Sequence, residues 1–105
     1  MSEKYTEIFK LKEKLDAIDL EYEFNDFGNK ELNYERYQIA LLDEEGKRIV
    51  TVVQGNYSYS GVNNKLEIMG LLTAEEEEHD SVVGWLTADE VYERIMNYYA
   101  SREEF

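Results

Sequence analysis

Few side chains in this 105-residue chain could do acid–base, nucleophilic or metal chemistry: there is one histidine, no cysteine, and an acidic run around the histidine. His79 is the only candidate general base of its type, and it lies within Glu75-Glu76-Glu77-Glu78-His79-Asp80. A catalytic base works from a rigid, partly dry setting that tunes its pKa. A run this charged is expected to be solvated, so His79 receives no catalytic role. Without cysteine there is no thiol nucleophile and no disulfide. Carboxylates suit calcium and magnesium, but a calcium loop spaces Asp and Asn ligands about a central Gly, and adjacent glutamates on a helix diverge. That spacing is missing, as are a glycine-rich phosphate loop, a Walker-type lysine and a zinc pattern. The chain is expected to be non-enzymatic, with no catalytic residue, no metal and no cofactor.

What the acid can do is bind. Against 24 Asp and Glu stand 11 Lys and Arg, a formal charge of -13. Such a charge repels nucleic acid and anionic lipid and attracts basic surfaces or cations. The stretch from Leu66 to Glu93 is the extreme, with acid throughout and no Lys or Arg. Aromatic residues are the second resource, since Tyr and Trp bury large rigid surfaces at interfaces while keeping a polar tip. Tyr5, Phe9, Tyr22, Phe24 and Tyr37 follow apolar periods and belong to the core. Tyr57 and Tyr59 fall in the Gly/Asn/Ser-rich stretch Gly55 to Asn64, where no core period demands them. The candidate partner-binding set is therefore Glu75, Glu76, Glu77, Glu78 and Asp80, then Asp89 and Glu90, with Tyr57 and Tyr59 as aromatic anchors. Asp89 and Glu90 also have a sufficient explanation at a helix start.

The elements that must position these residues are legible in outline. Tyr5, Ile8, Phe9, Leu11, Leu15 and Ile18 recur at three- and four-residue steps, the period of an amphipathic helix. Tyr22 and Phe24 alternate with polar residues as in a half-buried strand. Tyr37 to Leu42 and Arg48 to Gln54 flank Asp43-Glu44-Glu45-Gly46-Lys47, a hairpin with Gly46 at the left-handed turn position. Lys65 to Leu72 carries Leu66, Met69 and Leu72 at helical spacing, so a short helix is expected there. Thr73-Ala74-Glu75-Glu76 fits a capping box that opens an acidic turn or two. Thr87-Ala88-Asp89-Glu90 fits a second, with Leu86 and Val91 placed as the hydrophobic staple. That helix should run to about Ser101 and bury Val91, Ile95 and Tyr98 or Tyr99. The expected architecture is α+β, one domain over residues 1–105: a three-stranded antiparallel meander packed against an N-terminal and a C-terminal helix, with a short acidic helical segment between.

The longest apolar runs, such as Ile39 to Leu42, fall far short of the roughly 20 residues that cross a bilayer. The start Met1-Ser2-Glu3-Lys4-Tyr5 lacks the basic-then-apolar order of a secretion signal. A cytoplasmic protein is expected, with no membrane partner and no direct nucleic-acid binding.

Phe24 near the first strand, Tyr37-Gln38-Ile39, Val53-Gln54 with Tyr57-Ser58-Tyr59, Leu66-Glu67-Ile68-Met69-Gly70-Leu71-Leu72-Thr73, and Val82-Val83-Gly84-Trp85-Leu86-Thr87-Ala88-Asp89-Glu90-Val91 resemble small acidic proteins carried by phages and prophages of Gram-positive bacteria. In size, charge and lack of cysteine the chain is also similar to anti-CRISPR inhibitors and other DNA mimics. The resemblance implies a bacterial host cell and a non-enzymatic anti-defence role: an anti-CRISPR inhibitor that binds a basic nucleic-acid cleft of a Cas9-type nuclease by DNA mimicry. The alternative is a small phage-encoded structural or regulatory interaction protein whose acidity only solubilises it.

Overall fold

In a computed structural model, which describes residues 5–103, the first amphipathic segment forms helix α1 (Glu7–Ala17) and buries Ile8, Leu11 and Leu15. A helix leaves its first N–H groups unpaired, and the Thr6 side chain caps none of them. Remote side chains do so instead. Asn64 Oδ1 accepts from the backbone of Thr6 and Glu7 at 2.8 and 3.3 Å, and Gln54 Oε1 accepts from Ile8 at 3.0 Å. The other end closes in a Schellman turn, with Asp19 left-handed at φ +55° and the Leu20 N–H donating to Leu15 O at 3.1 Å.

The three expected strands are β1 (Glu23–Asp26), β2 (Arg36–Leu42) and β3 (Arg48–Gly55), and Gly46 takes its left-handed turn at φ +83°. The sheet, however, has five strands. β4 (Leu66–Met69) and β5 (Val83–Leu86) continue it in chain order, each antiparallel to the one before. The expected three-stranded meander is corrected to a five-stranded one, and the helix expected over Lys65 to Leu72 is corrected to β4. Leu66 and Ile68 are fully buried while Met69 is exposed and Glu67 half-buried, a two-residue alternation that overrode the three-residue spacing of Leu66, Met69 and Leu72. Gly70 and Leu71, both at positive φ, end the strand. The Gly/Asn/Ser-rich stretch holds a single helical turn, α2 (Tyr59–Val62). Helices α3 (Ala74–His79) and α4 (Ala88–Glu103) begin where the two capping boxes place them.

α1 and α4 pack side by side on one face of the sheet. There Ile8, Leu11, Leu15, Val91 and Ile95 meet Ile39, Leu41, Val50, Val52, Leu66, Ile68 and Leu86, each fully buried Leu or Ile contributing about 1.5–3 kcal/mol. Phe9, Phe24 and Tyr37 extend this core as a ring cluster with centroids 5.2, 5.8 and 6.5 Å apart. At the end of α4, Tyr99 rather than Tyr98 packs against the core. Glu7 ties the two helices together, its Oε1 accepting the Ala88 N–H at 2.9 Å.

The opposite face carries the cross-strand rows Glu23, Ala40, Thr51, Met69 and Asn25, Gln38, Val53, Glu67. α2 lies against β3, β4 and β5. A Cβ on Gly61 would stand 1.8 Å from the Gly55 carbonyl oxygen, so only glycine allows this approach. Among the described residues no helix is long and apolar enough to cross a membrane.

Candidate functional site

Thr73 and Thr87 open their helices in the same way. Thr73 Oγ1 accepts from Glu76 N–H at 3.2 Å, and Glu76 Oε1 accepts from Thr73 N–H at 2.8 Å. Thr87 Oγ1 accepts from Glu90 N–H at 3.2 Å, and Glu90 Oε1 accepts from Thr87 N–H at 2.9 Å. Helix α3 has no buried residue of its own. What fastens it is Arg94 on α4, whose Nη1 and Nη2 donate to Glu76 Oε1 and Oε2 at 2.7 and 2.8 Å, with Nη1 also reaching Leu71 O at 3.0 Å. A bidentate guanidinium–carboxylate pair fixes direction as well as distance. The Arg94 bonds first, and the Thr73 N–H second, hold the Glu76 carboxyl down at about 2.

This arrangement sorts the residues expected to meet a partner. Glu76 positions α3, and Glu90 caps α4. Asp89 Oδ1 pairs with Lys14 Nζ on α1 at 2.8 Å, which lowers the Asp89 pKa. Glu75, Glu77, Glu78 and Asp80 are exposed and form no ion pair among the described residues. Asp80 Oδ1 also accepts from Ser81 N–H at 2.8 Å, shaping the turn into β5. Beside them runs a shallow groove of about 520 Å³ between the 71–73 segment and α4, lined by Leu71, Leu72, Thr73, Glu90, Glu93, Arg94, Asn97 and Tyr98. Its floor is apolar and its α4 wall carries the exposed Glu90 and Glu93.

Tyr57 belongs to a different neighbourhood. Its ring centroid lies 6.1 Å from that of Tyr34 and 5.3 Å from the Arg36 guanidinium. Burial, followed by the charge of Glu67, pushes its hydroxyl up to about 12. On the same side, Arg36 Nε and Glu67 Oε1 are buried with no hydrogen-bond partner among the described residues. No hydrogen bond, ion pair or ring contact among the described residues joins Tyr57 to the α3 acids, so the expected set divides between an α3–α4 ridge and the second face of the sheet. The side chain of Tyr59, the other expected anchor, lies outside the described residues. His79 is exposed at the end of α3. Among the described residues no three His, Cys, Asp or Glu side chains are placed to hold a metal ion.

Two residues matter here that the sequence reading passed over. Arg94 is the one Lys or Arg between Lys65 and Arg102, and that isolation in acidic surroundings was the available signal. Trp85, the chain's only tryptophan, is 57% exposed and sits at φ +62° in β5. Its signal was the strand-like run Val82 to Leu86, interrupted at Gly84. Set against family models, curated proteins and solved structures, the chain matches none of them.

Proposed function

We propose that this protein works by binding, presenting a fixed acidic ridge to a basic, nucleic-acid-binding surface of a protein partner. In its specific form the proposal is a non-enzymatic anti-defence protein, an anti-CRISPR inhibitor that occupies the DNA cleft of a Cas9-type nuclease. One observation carries it: the Glu76–Arg94 pair fastens α3 to α4 and leaves Glu75, Glu77, Glu78 and Asp80 exposed and, among the described residues, without an ion pair. The backbone that carries these carboxylates is already placed, so docking has only their side chains to order. They can meet Lys and Arg side chains arranged for phosphates, or arginines that read a protospacer-adjacent motif by bidentate contacts. The defence context comes from the resemblance to phage-borne acidic proteins.

The test is inhibition of a purified, guide-loaded Cas9-type nuclease, with target-DNA binding and cleavage measured as salt is raised. Inhibition should weaken steeply with salt, and Glu75, Glu77, Glu78 and Asp80 changed together to Lys should weaken it about tenfold or more. Glu76 is left intact in that variant because it holds the helix. A correctly folded variant that inhibits as well as the parent would remove the mimicry reading. The exposed rings of Trp85 and Tyr57, 57% and 40% exposed, favour a second reading in which aromatics make the interface and acidity only solubilises. That reading gains if the reversed variant still captures its partner while Tyr57→Ala does not.

A further inference from the structure

Strand β5 is the edge of the sheet, and its pairing with β4 slips: Leu66 faces Leu86 and Ile68 faces Val83, so β5 carries one residue more than β4 over the same span. That is a β-bulge, a device that re-aims a side chain and interrupts edge pairing. Trp85 stands in it at φ +62°. For a bulky side chain this left-handed geometry is a genuine outlier that persists only where surroundings enforce it. Here they do. The Trp85 N–H donates to Ser60 Oγ at 3.1 Å, and a Cβ on neighbouring Gly84 would lie 2.3 Å from the same oxygen, so α2 is wedged against the bulge. The result is an indole 57% exposed, held by strain rather than by burial.

Elsewhere in the molecule aromatic faces are matched to the chain's own cations. Lys12 lies over Tyr22 and Phe24, Lys14 over Tyr92, Arg36 over Tyr57 and Arg102 over Tyr98, at 5.3 to 6.0 Å. Trp offers the best ring face for a cation, yet Trp85 has no such partner among the described residues. It also lies in the stretch from Leu66 to Glu93 that contains no Lys or Arg. Asp80 precedes it and Glu90 follows it by five residues each, so their Cα atoms lie at most about 18 Å from that of Trp85.

We infer that Trp85 is a partner-binding residue whose indole receives a Lys or Arg side chain of the basic partner, with the neighbouring carboxylates drawing the cation in. This rests on the reading that the acidic region meets a basic protein. The occupant follows from complementarity: among the described residues the indole lies under no cation of the chain, and Asp80 and Glu90 form no ion pair. The strain of the bulge then has a function, because it keeps the ring out of the core and available.

Trp85 is the only tryptophan, so its emission reports occupancy directly. The probe is a labelled nonapeptide of alternating Arg and Gly, titrated at low salt against the parent protein, Trp85→Phe and Trp85→Gly. Binding is followed by label anisotropy and, in the parent, by indole emission. The expected result is an emission change that saturates with the anisotropy, and about tenfold weaker binding by Trp85→Gly. Glycine accepts positive φ without strain, so that variant should melt at the parent's temperature or above it. Trp85→Phe should bind between the two. Peptide binding with unchanged indole emission, or equal affinity for folded Trp85→Gly, overturns the role of Trp85 and leaves the acidic reading standing. Should Trp85→Gly not fold, the parent's emission and Trp85→Phe decide. Failure of the parent to bind the peptide at low salt overturns the acidic reading, and this inference with it.

Discussion

The segments Thr73-Ala74-Glu75-Glu76 and Thr87-Ala88-Asp89-Glu90 are nearly the same tetrapeptide, and both close the same reciprocal cap. One opens a helix of 6 residues and the other a helix of 16. The cap decides where a helix begins; burial decides how far it goes. α4 places Ala88, Val91 and Ile95 in the core. α3 has no apolar anchor and survives as a short acidic turn because one arginine of its longer counterpart reaches across to it. The chain has thus used one local signal for a structural column and again for an exposed acidic turn.

The largest effect should come from the side that buries its residues. Ile95→Ala should cost about 2–5 kcal/mol in urea denaturation, and no single change within α3 should approach it. A substitution in α3 that matched it would break the contrast. Next come the caps. Thr87→Ala should cost about 1 kcal/mol globally. Thr73→Ala should leave the urea midpoint in place and show itself locally, as faster amide exchange at Glu77 and Asp80, whose N–H groups donate to Thr73 O and Glu76 O. Equal midpoint shifts for the two would make α3 part of the cooperative core.

Arg94→Met should release α3 and speed the same amides while changing the midpoint less than Thr87→Ala. The Glu76 carboxyl should then titrate nearer its ordinary 4.5 than its value of about 2, as read by carboxyl carbon NMR. Because that pKa is lowered in the fold, the contribution of the pair is complete above about 4.5 and is lost as pH falls toward about 2. An amide-exchange series over that range should therefore see α3 loosen in acid. The smallest effect belongs to Lys14→Gln, which removes an exposed ion pair to Asp89 and should leave the midpoint unmoved.

What the sequence declared was what sequence-local chemistry controls: the amphipathic start of α1, the hairpin at Gly46, and both capping boxes. β4 stayed hidden because Leu66, Ile68, Met69 and Leu72 satisfy a helical and a strand period at once, and only pairing with β3 chose between them. β5 was hidden by its own bulge, since Gly84 and Trp85 break the alternation that would have announced it. At the candidate site the free carboxylates were legible as a run. That Glu76 is occupied was not, because its partner Arg94 stands 18 residues away. The split between the ridge and Tyr57 likewise depends on strand order, which no local pattern contains.

The remote capping of α1 bears on how this chain is made. Its first N–H groups wait for Gln54, 46 residues on, and for Asn64, and the carboxylate of Glu7 finds its donor at Ala88, 81 residues on. During vectorial synthesis the leading segment would leave the ribosome with its helix start unsatisfied, and it stays so until the middle of the sheet has been translated. Contacts of such long range close late and slow folding, so α1 waits for β3 and Asn64 to cap it, and its Glu7 in turn waits to accept the first N–H of α4.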